Sequence, residues 1–135
     1  MGEKTMVQVV NQIKLKQSNS LIAKILGRDK FIMMNMVMLK KLGPNASCFL
    51  TFLLDRADFL EKSKQINSIE EDGMFIYRAD VTDKLGLTAY QQRSIERELQ
   101  KLELISVVEE RLDDNQTRNR YFINLILLDE FLDSK

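Results

Sequence analysis

The chain has 135 residues, 44% of them hydrophobic and 30% charged, which is the size and composition of one globular domain and far from the signature of disorder. Twenty basic side chains balance twenty acidic ones, which excludes a protein that coats nucleic acid by bulk attraction, so any DNA affinity has to come from local placement. With no His and one Cys, Cys48, the counts exclude zinc fingers, a disulfide framework and His-based catalysis.

Residues 1–30 carry six Lys or Arg against two acids, and residues 125–135 one Lys against three acids, so the basic excess sits at the N-terminal end. Thr5–Val10 reads as a short strand or an arm. Ser20 is placed to cap a short helix over Leu21–Leu26, and Gly27 is placed to stop it. Phe31–Asn35 reads as extended and Met36–Leu42 as one or two helical turns. Met33, Met34, Met36 and Met38 are expected to fill gaps in the core.

Gly43-Pro44 marks a boundary, because proline at the first helical position lacks only an N–H that would have no intrahelical partner. The helix it opens should run to about Glu61, with Ala46, Phe49, Leu50, Leu53, Leu54, Ala57 and Leu60 on its buried stripe. Cys48 falls within it and reads as packing rather than as a reactive thiol. Asp72-Gly73, between Ser68–Glu71 and Met74–Tyr77, predicts a hairpin or tight turn at which two short strands meet.

Ala79–Leu85 is expected to form a brief helix ended by Gly86. Thr88 followed by Gln91 is a capping box that opens the next helix, at roughly residues 88–102. Ile95, Leu99 and Leu102 recur at helical spacing and should anchor it to the core. Leu104–Leu112 and Arg118–Asn124 read as strands joined by the turn formers Asp113 to Gln116, and Leu125–Leu132 as a terminal apolar helix.

The expected fold class is therefore α+β, mostly α: a winged helix-turn-helix over residues 31–124, preceded by an arm or short helix at 1–30 and followed by a helix at 125–135. In such a fold the second helix enters the major groove of double-stranded DNA. With Ile95, Leu99 and Leu102 inward, Tyr90, Arg93, Ser94, Arg97 and Lys101 share the opposite face. Arg93, Arg97 and Lys101 follow at i,i+4 intervals, a like-charge spacing that costs an isolated helix about 0.2–0.5 kcal/mol per pair, and phosphates or guanine edges supply a reason for it.

Thr88 and Gln91 stand at the helix entrance, and Gln91 or Gln92 is a candidate reader of adenine. Arg111, Arg118 and Arg120 on the hairpin shoulders are candidate backbone contacts, whereas Asp113 and Asp114 at its tip repel phosphate. The plainer reading is a solvated face on which Glu96 and Glu98 pair with Arg93 and Lys101. No nucleophile, base or Gly-rich phosphate loop accompanies the carboxylate pairs Glu109-Glu110 and Asp113-Asp114, so no enzyme, cofactor or metal is expected.

Four segments, FIMMNMVMLKKLGPNASCFLTFLLDR, EDGMFIY, LTAYQQRSIERELQKLELI and RNRYFIN, stand in an order that resembles the N-terminal winged-helix domains of replication initiator and replisome-organiser proteins from phages and plasmids of Gram-positive bacteria. The resemblance covers about residues 31–124. The family's LG-x-N-A segment corresponds to Leu42 to Ala46, and its D-G turn to Asp72-Gly73. Its recognition helix, running from L-T/S-x-x-Q-x-R to L-x-x-L-G-L-I, corresponds to Leu87, Thr88, Gln91 or Gln92, Arg93, Leu99, Leu102, Leu104 and Ile105. Glu103 stands where the family has glycine, and glutamate adopts a left-handed backbone less easily.

The resemblance implies a role in DNA replication, in partition or in transcriptional regulation, with replication or partition proteins as further partners. A homodimer is expected, with segment 1–30 and the helix Leu125–Leu132 as candidate contacts. The alternative is a non-catalytic protein–protein interaction module on the same scaffold, which the zero net charge favours. No apolar run is long enough to span a bilayer and no signal peptide is legible, so the expected location is the cytoplasm, with no membrane partner.

Overall fold

The computed structural model describes residues 21–25, 33–112 and 117–134. Two compact units divide at Ile32 and Met33. In the first, residues 21–25 are helical (α1), with Leu21, Ile22 and Ile25 exposed. The expected Thr5–Val10 segment, the Ser20 cap, the Gly27 stop and the turn at 113–116 lie outside the described residues.

The second unit is α+β and mostly helical. Its elements are α2 (Met36–Leu42), α3 (Pro44–Lys62), β1 (Met74–Ile76), α4 (Arg78–Leu85), α5 (Ala89–Lys101), β2 (Ile105–Arg111), β3 (Thr117–Ile123) and α6 (Leu125–Asp133). Local chemistry sets most of the helix ends. Asn35 caps α2 by accepting from the Val37 and Met38 amides, Pro44 opens α3, and left-handed Gly86 closes α4. Asn124 caps α6 through the Leu127 amide.

The strands form an antiparallel sheet in the order β1-β3-β2. Here the structure corrects the expectation at Asp72-Gly73. Ile69 to Asp72 are turns, and β1 pairs with β3, Met74 opposite Tyr121, instead of with Ser68–Glu71. Gly73 is required for another reason. Its φ is +68°, and a Cβ there would lie 2.9 Å from both Arg120 Cγ and Phe122 Cε1, so a side chain would collide with β3.

One face of the sheet, with Met74, Ile76, Ile105, Tyr121 and Ile123, closes over a core that includes Phe49, Leu50, Leu53, Ile69, Val81, Leu99 and Leu104. Phe49 meets Tyr121 edge-on at 5.9 Å. On α3, Ala46, Phe49, Leu50, Leu53 and Ala57 are buried as the spacing requires, while Leu54 and Leu60 are half-buried at the edge of the stripe. Two polar residues complete its seam with α2: Ser47 Oγ donates to the Met38 carbonyl at 2.9 Å, and Thr51 Oγ1 lies 3.6 Å from Met38 Sδ. Of the four methionines expected to fill the core, only Met38 does so. Met33 and Met34 precede α2 and are exposed and half-buried, and Met36 is exposed because it lies two residues from Met38, on the other side of the helix.

Leu102 is a second correction. It is 41% exposed, and Leu104 takes the inward place because the chain turns left-handed at Glu103, with φ +62°. Glu103 N donates to Gln100 O at 2.9 Å and Leu104 N to Leu99 O at 3.0 Å, the two bonds of a Schellman ending, with Leu99 and Leu104 both fully buried beneath it. The tight helix exit is therefore made with glutamate in the position that glycine favours.

Candidate functional site

Helix α5 is held at its entrance, its middle and its exit. At the entrance the capping box closes in both directions, Gln91 N donating to Thr88 Oγ1 at 3.1 Å and Thr88 N to Gln91 Oε1 at 2.9 Å. The side chains of Thr88 and Gln91 are thus engaged with each other's backbone. One residue on, Gln92 is fully buried. Its Nε2, with two N–H donors, lies within hydrogen-bonding distance of three acceptors, Arg78 O, Thr82 Oγ1 and Leu87 O, at 3.1, 3.0 and 2.9 Å, which ties α5 to α4 and to the turn between them. A residue expected as a possible reader of adenine is therefore an internal brace, because its helical position points at the α4–α5 turn.

The middle of α5 is fixed by a polar network that the sequence reading did not find. Glu96 is 5% exposed and accepts from Arg78 Nη1 and Nη2 at 3.1 and 2.9 Å, a two-pronged ion pair with the start of α4. The Tyr121 hydroxyl donates to Glu96 Oε1 at 2.6 Å, and Asn119 Nδ2 lies 3.3 Å from that hydroxyl. Burial, then the hydrogen bond to Glu96, pushes the Tyr121 pKa above its ordinary value of 10. The signal was present in the spacing. Gln92, Ile95, Glu96 and Leu99 follow i, i+3, i+4, i+7, the pattern of an inward stripe, although two of the four are polar.

With Glu96 inside, it does not neutralise the outer face, contrary to the ion-paired reading. Tyr90, Arg93, Ser94, Arg97 and Lys101 are all exposed on that face, and Glu98 is the one exposed acid of α5. Among the described residues, no carboxylate lies within ion-pair distance of Arg93, Arg97 or Lys101. Beside the face runs a groove lined by Pro44, Asn45, Tyr90, Ser94 and Glu98, where the start of α3 approaches α5.

The hairpin arginines are arranged differently. Arg111 is exposed. Arg118 and Arg120 are half-buried on the outer face of the sheet, their guanidinium carbons 3.7 and 4.6 Å from the Phe75 ring centroid. Glu110 bridges them, Oε2 to Arg118 Nη2 and Oε1 to Arg120 Nη2, each at 3.2 Å. The structure therefore gathers Tyr90, Arg93, Ser94, Arg97 and Lys101 on one helix face, and engages Arg118 and Arg120 in a cross-strand cluster of their own.

Among the described residues, no helix is long and apolar enough to cross a membrane. Comparison with protein-family models, with curated proteins and with solved structures finds no match to this chain.

Proposed function

We propose that α4, α5 and the β2–β3 hairpin work as a winged helix-turn-helix that binds double-stranded DNA in a sequence-specific manner, with α5 in the major groove. The observation that carries this reading is the outer face of α5, three exposed cations at i,i+4 intervals whose expected neutralising partner, Glu96, is turned into the core. Like charges so placed do not help a helix, so a ligand that supplies negative charge accounts for them better than stability does. Arg93 and Arg97 can each offer two donors to guanine O6 and N7, Lys101 a point charge to phosphate, and Tyr90 and Ser94 contacts to groove edge or backbone.

Rigid mounting supports the same reading. Braced by Gln92 and Glu96, α5 presents those side chains from a fixed frame, so little ordering remains to be done on binding. On the hairpin, Arg111 is exposed and can meet a phosphate, whereas Arg118 and Arg120 would have to share theirs with Glu110. The motif resemblance favours a role in replication, partition or transcriptional control of a phage or plasmid.

Fluorescence anisotropy with labelled duplexes, one random and one tiling the DNA that flanks the chain's own gene, tests the proposal across a salt series. The expected result is a negative log-log salt slope and tighter binding to a flanking duplex. Folded protein that binds no duplex at low salt would overturn it in favour of a protein-interaction module.

A further inference from the structure

Two glutamines of α5 are spent on backbone amides, Gln91 accepting from Thr88 N at 2.9 Å and Gln100 from Val107 N of β2 at 3.3 Å. Of the exposed polar side chains that remain on the outer side of the helix, Arg93, Arg97 and Lys101 only donate hydrogen bonds, and Tyr90 and Ser94 both donate and accept. Glu98 alone among them only accepts.

Glu98 comes four residues after Ser94 and three before Lys101, so it stands between them, about 40° round the helix from the first and about 60° from the second. It lines the groove with Pro44, Asn45, Tyr90 and Ser94, on the side of α5 toward the start of α3. Among the described residues, no cation lies within ion-pair distance of it, Lys101 included. A carboxylate beside three cations on a DNA-facing helix repels phosphate, so attraction to the backbone gives no reason for it.

We propose that Glu98 determines specificity by accepting from the N4 amino group of a cytosine in the major groove, beside the guanines that Arg93 and Arg97 contact. This rests on the DNA-binding reading of α5. The base edges differ in what they offer a carboxylate. Guanine presents the acceptors N7 and O6, thymine the acceptor O4 and a methyl group, and adenine the acceptor N7 beside its N6 donor, whereas cytosine presents a donor alone. An acceptor-only side chain is therefore matched by cytosine and repelled or left unpaired by the other bases. At a wrong site the unpaired charge also opposes the cations around it, so Glu98 weakens non-specific binding while it selects the correct base.

Selection of full-length chain against a random duplex pool, followed by fluorescence anisotropy on the selected duplex and its single-base variants, tests this. The proteins are wild type, Glu98→Gln and Glu98→Ala, each shown folded by circular dichroism. Wild type is expected to require cytosine at one position, with binding about tenfold weaker when that base is changed. Glu98→Gln should move the preference at that position alone to adenine, whose N6 and N7 match the acceptor and donor of an amide. Glu98→Ala should lose the preference there and bind a random duplex more tightly than wild type at low salt. Selection of the same site by wild type and Glu98→Gln overturns the inference and leaves DNA binding by α5 in place. So does equal weakening of every duplex by Glu98→Ala, the mark of a residue that only supports the helix. A wild-type chain that enriches no sequence overturns the sequence-specific reading itself, and this inference with it.

Discussion

Glu96 of α5 and Tyr121 of β3, twenty-five residues apart, share a 2.6 Å hydrogen bond in which the phenol donates to the carboxylate. Arg78 holds the same carboxylate from α4, so one buried acid joins both helices of the helix-turn-helix to the central strand of the sheet. Removing the acid leaves a half-buried guanidinium and a buried hydroxyl without their acceptor. Glu96→Ala should cost about 1–3 kcal/mol, and Tyr121→Phe about 1.5 kcal/mol, in urea unfolding. The double variant should lose less than the sum, since the two changes break one shared bond.

Burial of the Tyr121 phenol, together with the same bond, sets an alkaline limit. The folded-state pKa of Tyr121 is raised above the unfolded value of about 10, so its contribution to stability is complete below pH 10 and is lost as pH rises toward the folded value. Above pH 10 the unfolded chain releases the phenolic proton and the folded chain keeps it, which lowers the unfolding free energy. Urea unfolding at pH 8 to 11 should show a fall above pH 10 that is shallower in Tyr121→Phe.

Glu103 occupies a left-handed backbone, φ +62°, at the Schellman ending of α5, where its Cβ is strained and its side chain is exposed. Glu103→Gly should relieve that strain and raise stability by about 0.5–1 kcal/mol, or a few degrees in Tm. Lys64, at φ +61° past the end of α3, has the matching bonds, Lys64 N to Glu61 O and Gln65 N to Leu60 O, so Lys64→Gly should act alike. Thermal unfolding followed by circular dichroism checks both.

Gly73 has the opposite requirement. The 2.9 Å approaches of Arg120 Cγ and Phe122 Cε1, together with positive φ, leave no room for a methyl group. Gly73→Ala should destabilise by about 1–3 kcal/mol, and the shift should appear in Tm because β1 is held to the sheet beside that contact.

If α5 carries the DNA contact, removal of its cations should be read in the salt dependence. Arg93→Ala and Arg97→Ala should each weaken binding, the larger loss of base discrimination, about 1–3 kcal/mol, falling at a bidentate guanine contact. Lys101→Ala should weaken binding evenly across sequences and reduce the log-log slope by about one. Arg118→Ala should act first on stability, since it removes the Phe75 stack and frees one Glu110 oxygen. Equal binding by wild type and Arg93→Ala with Arg97→Ala would remove α5 from the interface.

Much of this architecture was legible locally. Pro44 at the start of α3, Thr88 with Gln91 at the start of α5 and Gly86 at the end of α4 act within three or four residues, so their meaning is complete in the sequence around them. The same is true of the outer stripe of α5, which needs only helical periodicity. What depended on distant chain could not be read this way. Asp72-Gly73 carries the chemistry of a hairpin turn, yet β1 finds its partner forty-seven residues on, where Met74 stands opposite the buried Tyr121.

Glu96 shows the same division at one residue. Its spacing with Gln92, Ile95 and Leu99 is inward, but a carboxylate is buried only where a cation and a hydroxyl meet it. Arg78 and Tyr121 come from two other elements. By itself the sequence determined where most helices begin and end and which cations share a face. Tertiary structure decided which polar groups are inside, because burial of charge depends on partners that only the folded chain brings together.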